Sequence, residues 1–205
     1  MMHRRRPRGD RGASLVEAAI ITPVFLLMVF GLLEYGLLVR DDLTIAAMSR
    51  DTARAASAFG DEQYADFKAL QITGQTARAL PVELIERIVV FDAGSADGSI
   101  SDTSHPAHAC KTSATGINNV CNVYTIADLQ KPQSSYGCDV SEGDLDRFWC
   151  PMAKNGQPGR EVSQSGPPDY VGVWIKATHP FLTGLFGDEV TVSDEVVMRM
   201  EPREQ

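Results

Sequence analysis

At 205 residues the chain has room for one globular unit and a membrane segment, or at most two small domains. Its charged and hydrophobic fractions, 22% and 43%, are those of a folded protein and exclude wholesale disorder. The net charge of -8 hides a reversal: Arg4, Arg5, Arg6, Arg8 and Arg11 against Asp10 give residues 1–12 a formal +4, which leaves -12 for residues 13–205. No basic patch outside the leader can neutralise a row of phosphates, which argues against nucleic acid as a partner.

Residues 18–39 read AAIITPVFLLMVFGLLEYGLLV, with one charge, Glu34. As a helix this segment rises about 33 Å, enough to cross a bilayer core of about 30 Å. Arginines precede it and Asp41 and Asp42 follow it, so the positive-inside rule puts the N-terminus in the cytoplasm and the remainder outside. Pro23, one turn in, predicts a kink or a locally melted helix. The helix continues through the alanine-rich residues 43–59 to Gly60, making about 45 helical residues in all. A second helix is expected from Glu62 to about Leu80, ending at Pro81, with Gly74 as a possible break.

Beyond Pro81 the period changes. Residues 84–91 (LIERIVVF) read as a strand entering an Asp/Gly/Ser loop at 92–104, and residues 120–126 as a second strand. Thr125 and Asp128 then form a T-x-x-D cap for a short helix. Residues 131–168 are rich in proline, glycine, serine and glutamine and predict an irregular region that depends on cysteines for order. Cys110, Cys121, Cys138 and Cys150 lie within 41 residues, an even cluster that reads as two disulfides outside the cytosol. Of the three connectivities, Cys110 to Cys121 with Cys138 to Cys150 closes the shortest loops. The C-terminus alternates clearly: Val171, Val173, Ile175 and Ala177 with Gly172, Trp174, Lys176 and Thr178, then Val190, Val192, Val196, Met198 and Met200 with Thr191, Ser193, Glu195, Val197 and Arg199. Two half-buried strands joined through Gly184 and Gly187 make an antiparallel hairpin, and Asp194, which breaks the apolar parity, predicts a bulge or a strand end.

The leader meets the span at Arg11-Gly12-Ala13-Ser14-Leu15-Val16-Glu17. This resembles a type IV prepilin signal, with a basic leader, a glycine before the cut and a glutamate at the fifth position of the mature chain. An acid just inside the apolar boundary is costly, by about 2.5–3.5 kcal/mol near the bilayer centre and less toward the edge, so it needs a partner. The resemblance implies that the partner of Glu17 is the amine of Ala13 on an adjacent subunit, a pairing that helps to set assembly register.

The wider stretch from Arg11 through Glu17, Pro23, Glu34-Tyr35-Gly36 and the segment holding Ala46, Ala47, Arg50, Asp51, Ala53 and Arg54 resembles the TadE-like minor pilins of the tight-adherence machinery. Residues 173–202 resemble that family's closing hairpin. An aromatic often follows the signal glutamate in tight-adherence pilins, and here the residue is Ala18. The resemblance implies a pilin-like α+β fold: a leader at 1–12, a transmembrane and stalk helix at 13–60, and an exoplasmic head at 61–205 with a cysteine-containing irregular region at 105–168. It also implies a single-pass inner-membrane protein whose partners are lipid, a prepilin peptidase, other pilin or pseudopilin subunits and tight-adherence membrane components.

His105, His108 and Cys110 form H-x-x-H-x-C, a zinc pattern if Cys121 closed it, but oxidised cysteines are the better use outside the cytosol. Asp92, Asp97 and Asp102 lack the spacing of a calcium loop. No G-x-S-x-G, H-E-x-x-H or phosphate-cradling glycine loop is present, so neither catalysis, metal nor cofactor is expected. His179, Trp149 and Trp174 read as structural. The competing function is a membrane-tethered binding or sensor module, which has no need of the motif from Gly12 to Glu17.

Overall fold

A computed structural model describes residues 10–76, 80–154, 156–162 and 167–202, with side chains from Gly12 onward. Residues 1–9, most of the basic leader, lie outside the described residues. Helix α1, Asp10–Phe59, is 50 residues long and runs through Pro23 without interruption. It stops at Gly60, whose φ of +42° is left-handed and whose N–H reaches Ala56 O at 3.0 Å, a glycine-terminated helix end. The second helix, α2, is Ala65–Thr76 with Gly74 inside it, starting three residues later than the sequence suggests, while residues 77–79 of its expected end lie outside the described residues. A turn closed by Ala65 N–H to Glu62 O (2.9 Å) uses up the residues before it.

Four strands follow: β1 Ile85–Asp92, β2 Cys121–Tyr124, β3 Tyr170–Pro180 and β4 Glu189–Arg199. They form one antiparallel sheet in the order β2-β1-β3-β4. A short helix, α3 (Ile126–Leu129), begins where expected, with the Asp128 carboxylate accepting the Thr125 backbone N–H at 2.7 Å and its hydroxyl at 2.8 Å. The fold is α+β: a long N-terminal helix followed by a head built on a small antiparallel sheet.

Strand parity sorts the side chains into two cores. Ile88, Val90, Tyr124, Val171, Val173, Ile175 and Ala177 face the helices, meeting Ile45, Met48, Ala53 and Ala56 of α1 and Ala69 and Leu70 of α2. Val89, Phe91, Cys121 and Trp174 face the other way and are covered by the segment after β1, through Ala93, Ile100, Ala107 and Cys110. The second half of α1 is thus part of the head's own core. β3 differs from the half-buried strand expected, because it is central and covered on both faces, with Trp174 only 4% exposed. Gly172 belongs to this arrangement: a Cβ there would lie 2.1 Å from the Phe91 ring. β4, at the sheet edge, stays partly exposed.

Asp194 is a correction to the sequence reading. β3 and β4 pair continuously from Tyr170↔Arg199 to Pro180↔Glu189, with Asp194 opposite Ile175 and no bulge or strand end. Its carboxylate occupies a helix-facing position and accepts a hydrogen bond from the Ser49 hydroxyl of α1, so a polar pair fills the slot an apolar side chain would take. The register shift lies instead in β1, between Ile85 and Arg87.

The irregular region is stitched down by covalent and polar links. The disulfides are Cys110–Cys121 and Cys138–Cys150, with Cα separations of 6.6 and 5.5 Å. On β2, Asn122 clamps Trp149 with both ends of its amide: Nδ2 donates to Trp149 O (2.8 Å) and Oδ1 accepts Trp149 N–H (2.9 Å). Arg160 is fully buried and grips both carboxylate oxygens of Asp66 on α2, at 2.7 and 2.8 Å, while stacking over the Trp149 ring.

Candidate membrane anchor and assembly site

The first half of α1 stands free of the head. Every residue from 12 to 28 is exposed, including Leu15, Ile20, Phe25 and Leu27. A helix apolar on all sides needs either a protein core or a bilayer around it, and here the protein supplies no core. Among the described residues α1 is the one helix long and apolar enough to cross a membrane.

Partial cover begins at residues 29 and 31, and Glu34 is the first buried residue of α1. From there the buried positions recur as Glu34, Asp41, Ile45, Met48, Thr52 and Ala55, steps of three, four or seven that keep one stripe facing the sheet. Polar contacts recur along this stripe about every two turns. Glu34 accepts the backbone N–H of Thr183 in the β3–β4 loop. Asp41 meets Nδ1 of His179 at 2.6 Å and also takes the guanidinium of Arg40 at 2.9 Å. Ser49 meets Asp194, and the Ser57 hydroxyl donates to Arg199 O at 2.7 Å. Hydrogen bonds at these four levels fix the axial position of helix against hairpin, which apolar contact alone leaves free to slide.

Glu34 and Asp41 are almost wholly buried, at 2% and 3% exposure; the sequence marked Glu34 as part of the Glu34-Tyr35-Gly36 motif and Asp41 as the acidic flank of the span, and a contact with the head was expected of neither. The legible signal was their seven-residue spacing, continued by Met48 and Ala55, which marks one helix face. His179, read as structural, is the buried partner of Asp41.

Gly12, Ala13 and Glu17 all lie on the exposed part of α1, and among the described residues nothing beyond its own helical turn lies within 4 Å of a Cβ placed at Gly12. The Gly12–Ala13 peptide is inside the helix, two residues past its start. Further along, Arg50, Asp51 and Arg54 remain exposed while Ala53 faces the core. Asp51 accepts from the Thr76 hydroxyl at 3.1 Å, tying α1 to α2.

The other singled-out residues serve the loops. His105 Nδ1 accepts the Ala107 N–H at 3.2 Å, His108 Nδ1 lies 2.9 Å from Ile100 O, and Cys110 is bonded to Cys121. Asp92 and Asp102 accept backbone N–H groups two residues on, from Gly94 and Ser104, both at 2.8 Å. Trp149 and Trp174 are both buried.

No curated protein and no solved structure matches the chain. A family model described as TadE-like protein matches residues 12–54, from the glycine of the signal motif through the apolar helix to Arg54. The closing hairpin, for which the same resemblance was expected, lies outside the matched residues. The resemblance read from the N-terminal motifs thus falls on the segment that this family model matches, and over residues 12–54 the chain is similar to TadE-like proteins.

Proposed function

We propose that the chain is a minor pilin or pseudopilin-like membrane subunit, without catalytic activity, that supports assembly of a tight-adherence pilus or a related secretion apparatus. The observation that carries this reading is the TadE-like match over residues 12–54 falling on a helix whose residues 12–28 nothing in the head covers. In this reading α1 crosses the inner membrane once, with the arginine-rich leader in the cytoplasm. The disulfide-bearing head lies on the oxidising side.

A prepilin peptidase cuts between Gly12 and Ala13. Because that peptide is helical, the first turn of α1 must open for it to enter an active site, and a helix end next to a glycine opens easily. Glu17, exposed on the bare helix, is then free to meet the new amine of Ala13 on a neighbouring subunit, which lowers the penalty of its own charge in lipid. Other pilins and tight-adherence membrane components are the partners.

Intact mass and N-terminal analysis of membrane-extracted protein, with and without a prepilin peptidase, test the reading. Wild type should lose residues 1–12 only with the peptidase, Gly12→Val should stay full length, and Glu17→Val should be cut yet fail to support piliation. A wild-type chain that stays full length beside an active peptidase makes α1 a plain anchor and the head a tethered binding or sensor module.

A further inference from the structure

Among the described residues the head's own exposed large apolar side chains are few: Val140, Met152, Leu182, Leu185 and Phe186. Three of these five sit together in the β3–β4 loop, where residues 182–189 are all exposed. Leu182 is the barest, at 77%. The stretch from Phe181 to Gly187 carries no charge, and Asp188 and Glu189 follow it at once.

The loop has internal order. Phe181 N–H donates to Asp188 O at 2.9 Å, and the Phe181 and Phe186 rings lie 5.8 Å apart. It is also held against α1 at a definite level, by Thr183 N–H on Glu34 and by Phe186, whose ring lies 3.8 Å from where a Cβ on Gly31 would be. That level is inside the apolar run of α1 rather than beyond its end.

We infer that the β3–β4 loop tip is a second membrane-contacting element, which inserts Leu182, Leu185 and Phe186 into the outer face of the bilayer beside the helix. The inference rests on α1 spanning the membrane. Its ground is continuity: the apolar tip lies alongside the apolar helix, so one lipid surface covers both. Gly31 and Glu34 lie about 20 residues, or about 30 Å, beyond Ala13 along α1, the thickness of a bilayer core.

The lipid-spanning segment accordingly shifts from residues 18–39 to about 13–33. Glu34 moves out of the hydrocarbon into the headgroup region, where its bond to Thr183 suits it, and the Asp41–His179 pair stands about 10 Å further out in water. The acidic flank, Asp188 and Glu189, rules out attraction to anionic lipid as the driving force and leaves apolar insertion.

The test uses full-length protein in vesicles of phosphatidylcholine and phosphatidylglycerol, with an environment-sensitive fluorophore on a single added cysteine at Leu182 or, as a second site, Leu185. Intact mass confirms that both native disulfides have closed. Controls carry the probe at Val140, elsewhere on the head, and at Leu27, in mid-helix. Nitroxides on lipid headgroups and at a shallow acyl position should quench the tip probes at least about threefold more than the Val140 probe, unchanged by salt.

Quenching at Leu27 with tip probes no more quenched than Val140 overturns the inference and leaves the span standing. Failure of quenching at Leu27 as well removes the span itself. A tip probe shielded from both water and lipid nitroxides, increasingly so at higher protein-to-lipid ratio, shows a second copy of the chain on the loop and overturns the inference in favour of a protein contact.

Discussion

Asp66 and Asp146 both lie 2.7 Å from the Tyr124 hydroxyl, and one phenolic hydrogen cannot serve two carboxylates. Both contacts are hydrogen bonds when Tyr124 donates to Asp66 while Asp146 keeps a proton and donates to Tyr124. Burial, and then the neighbouring charge of Asp66, push the Asp146 carboxyl well above the usual carboxylate range. With the folded pKa above the unfolded value of about 3.9, the folded chain holds a proton that the unfolded chain has lost. The stabilisation is full below about pH 4 and is lost as pH rises through the folded pKa. Asp146→Asn removes this titration while keeping a donor for Tyr124. In urea unfolding between pH 4 and 8 the variant should gain on wild type as pH rises, by at most about 1.4 kcal/mol per pH unit; parallel curves would show that Asp146 holds no proton. Asp66→Asn should cost about 3–5 kcal/mol, because it strands the buried guanidinium of Arg160.

At the scale of elements, the packing of α1 on the hairpin joins apolar burial to polar registration. Ile45 and Met48 would tolerate a helix displaced by a turn, but the pairing of Ser49 with Asp194 and of Asp41 with His179 holds only in one register. Ser49→Ala leaves a partly buried carboxylate facing the helix without its donor and should destabilise the head by about 1–3 kcal/mol. Adding Asp194→Val, which restores the apolar parity of β4, should recover most of that loss. A double variant as unstable as the sum of its single changes would mean that Asp194 acts through something other than Ser49.

At the scale of the whole molecule, one helix serves two environments. Its first half is bare, and its second half supplies Ile45, Met48, Ala53, Ala55 and Ala56 to the main core. The disulfide-bearing layer on the opposite face of the sheet covers Phe91 and Trp174. A fragment of residues 40–202 should therefore be soluble and cooperatively folded, with all four thiols resistant to alkylation until reduced. A fragment of residues 61–202 lacks one wall of the core and should be alkylated readily or aggregate. Equal folding of the two would show that α1 is dispensable to the head.

Local pattern was enough for the long helix, the capped turn at Thr125 and the closing hairpin, because each depends on neighbours in sequence: an apolar run, a cap four residues long, an alternation of period two. The N-terminal family match was legible for the same reason, since it is a contiguous order of residues from Gly12 to Arg54. Tertiary structure alone decided the rest. β3 became the centre of the sheet because β1, far away in sequence, pairs on its open side, which buried Trp174 and required Gly172. Asp194 stayed in register because Ser49, on a helix 145 residues earlier, supplies its donor. The Asp66–Arg160 pair joins residues 94 apart, and the apolar loop tip meets α1 at Glu34. Such contacts are set by distance in space, which no periodicity along the chain encodes.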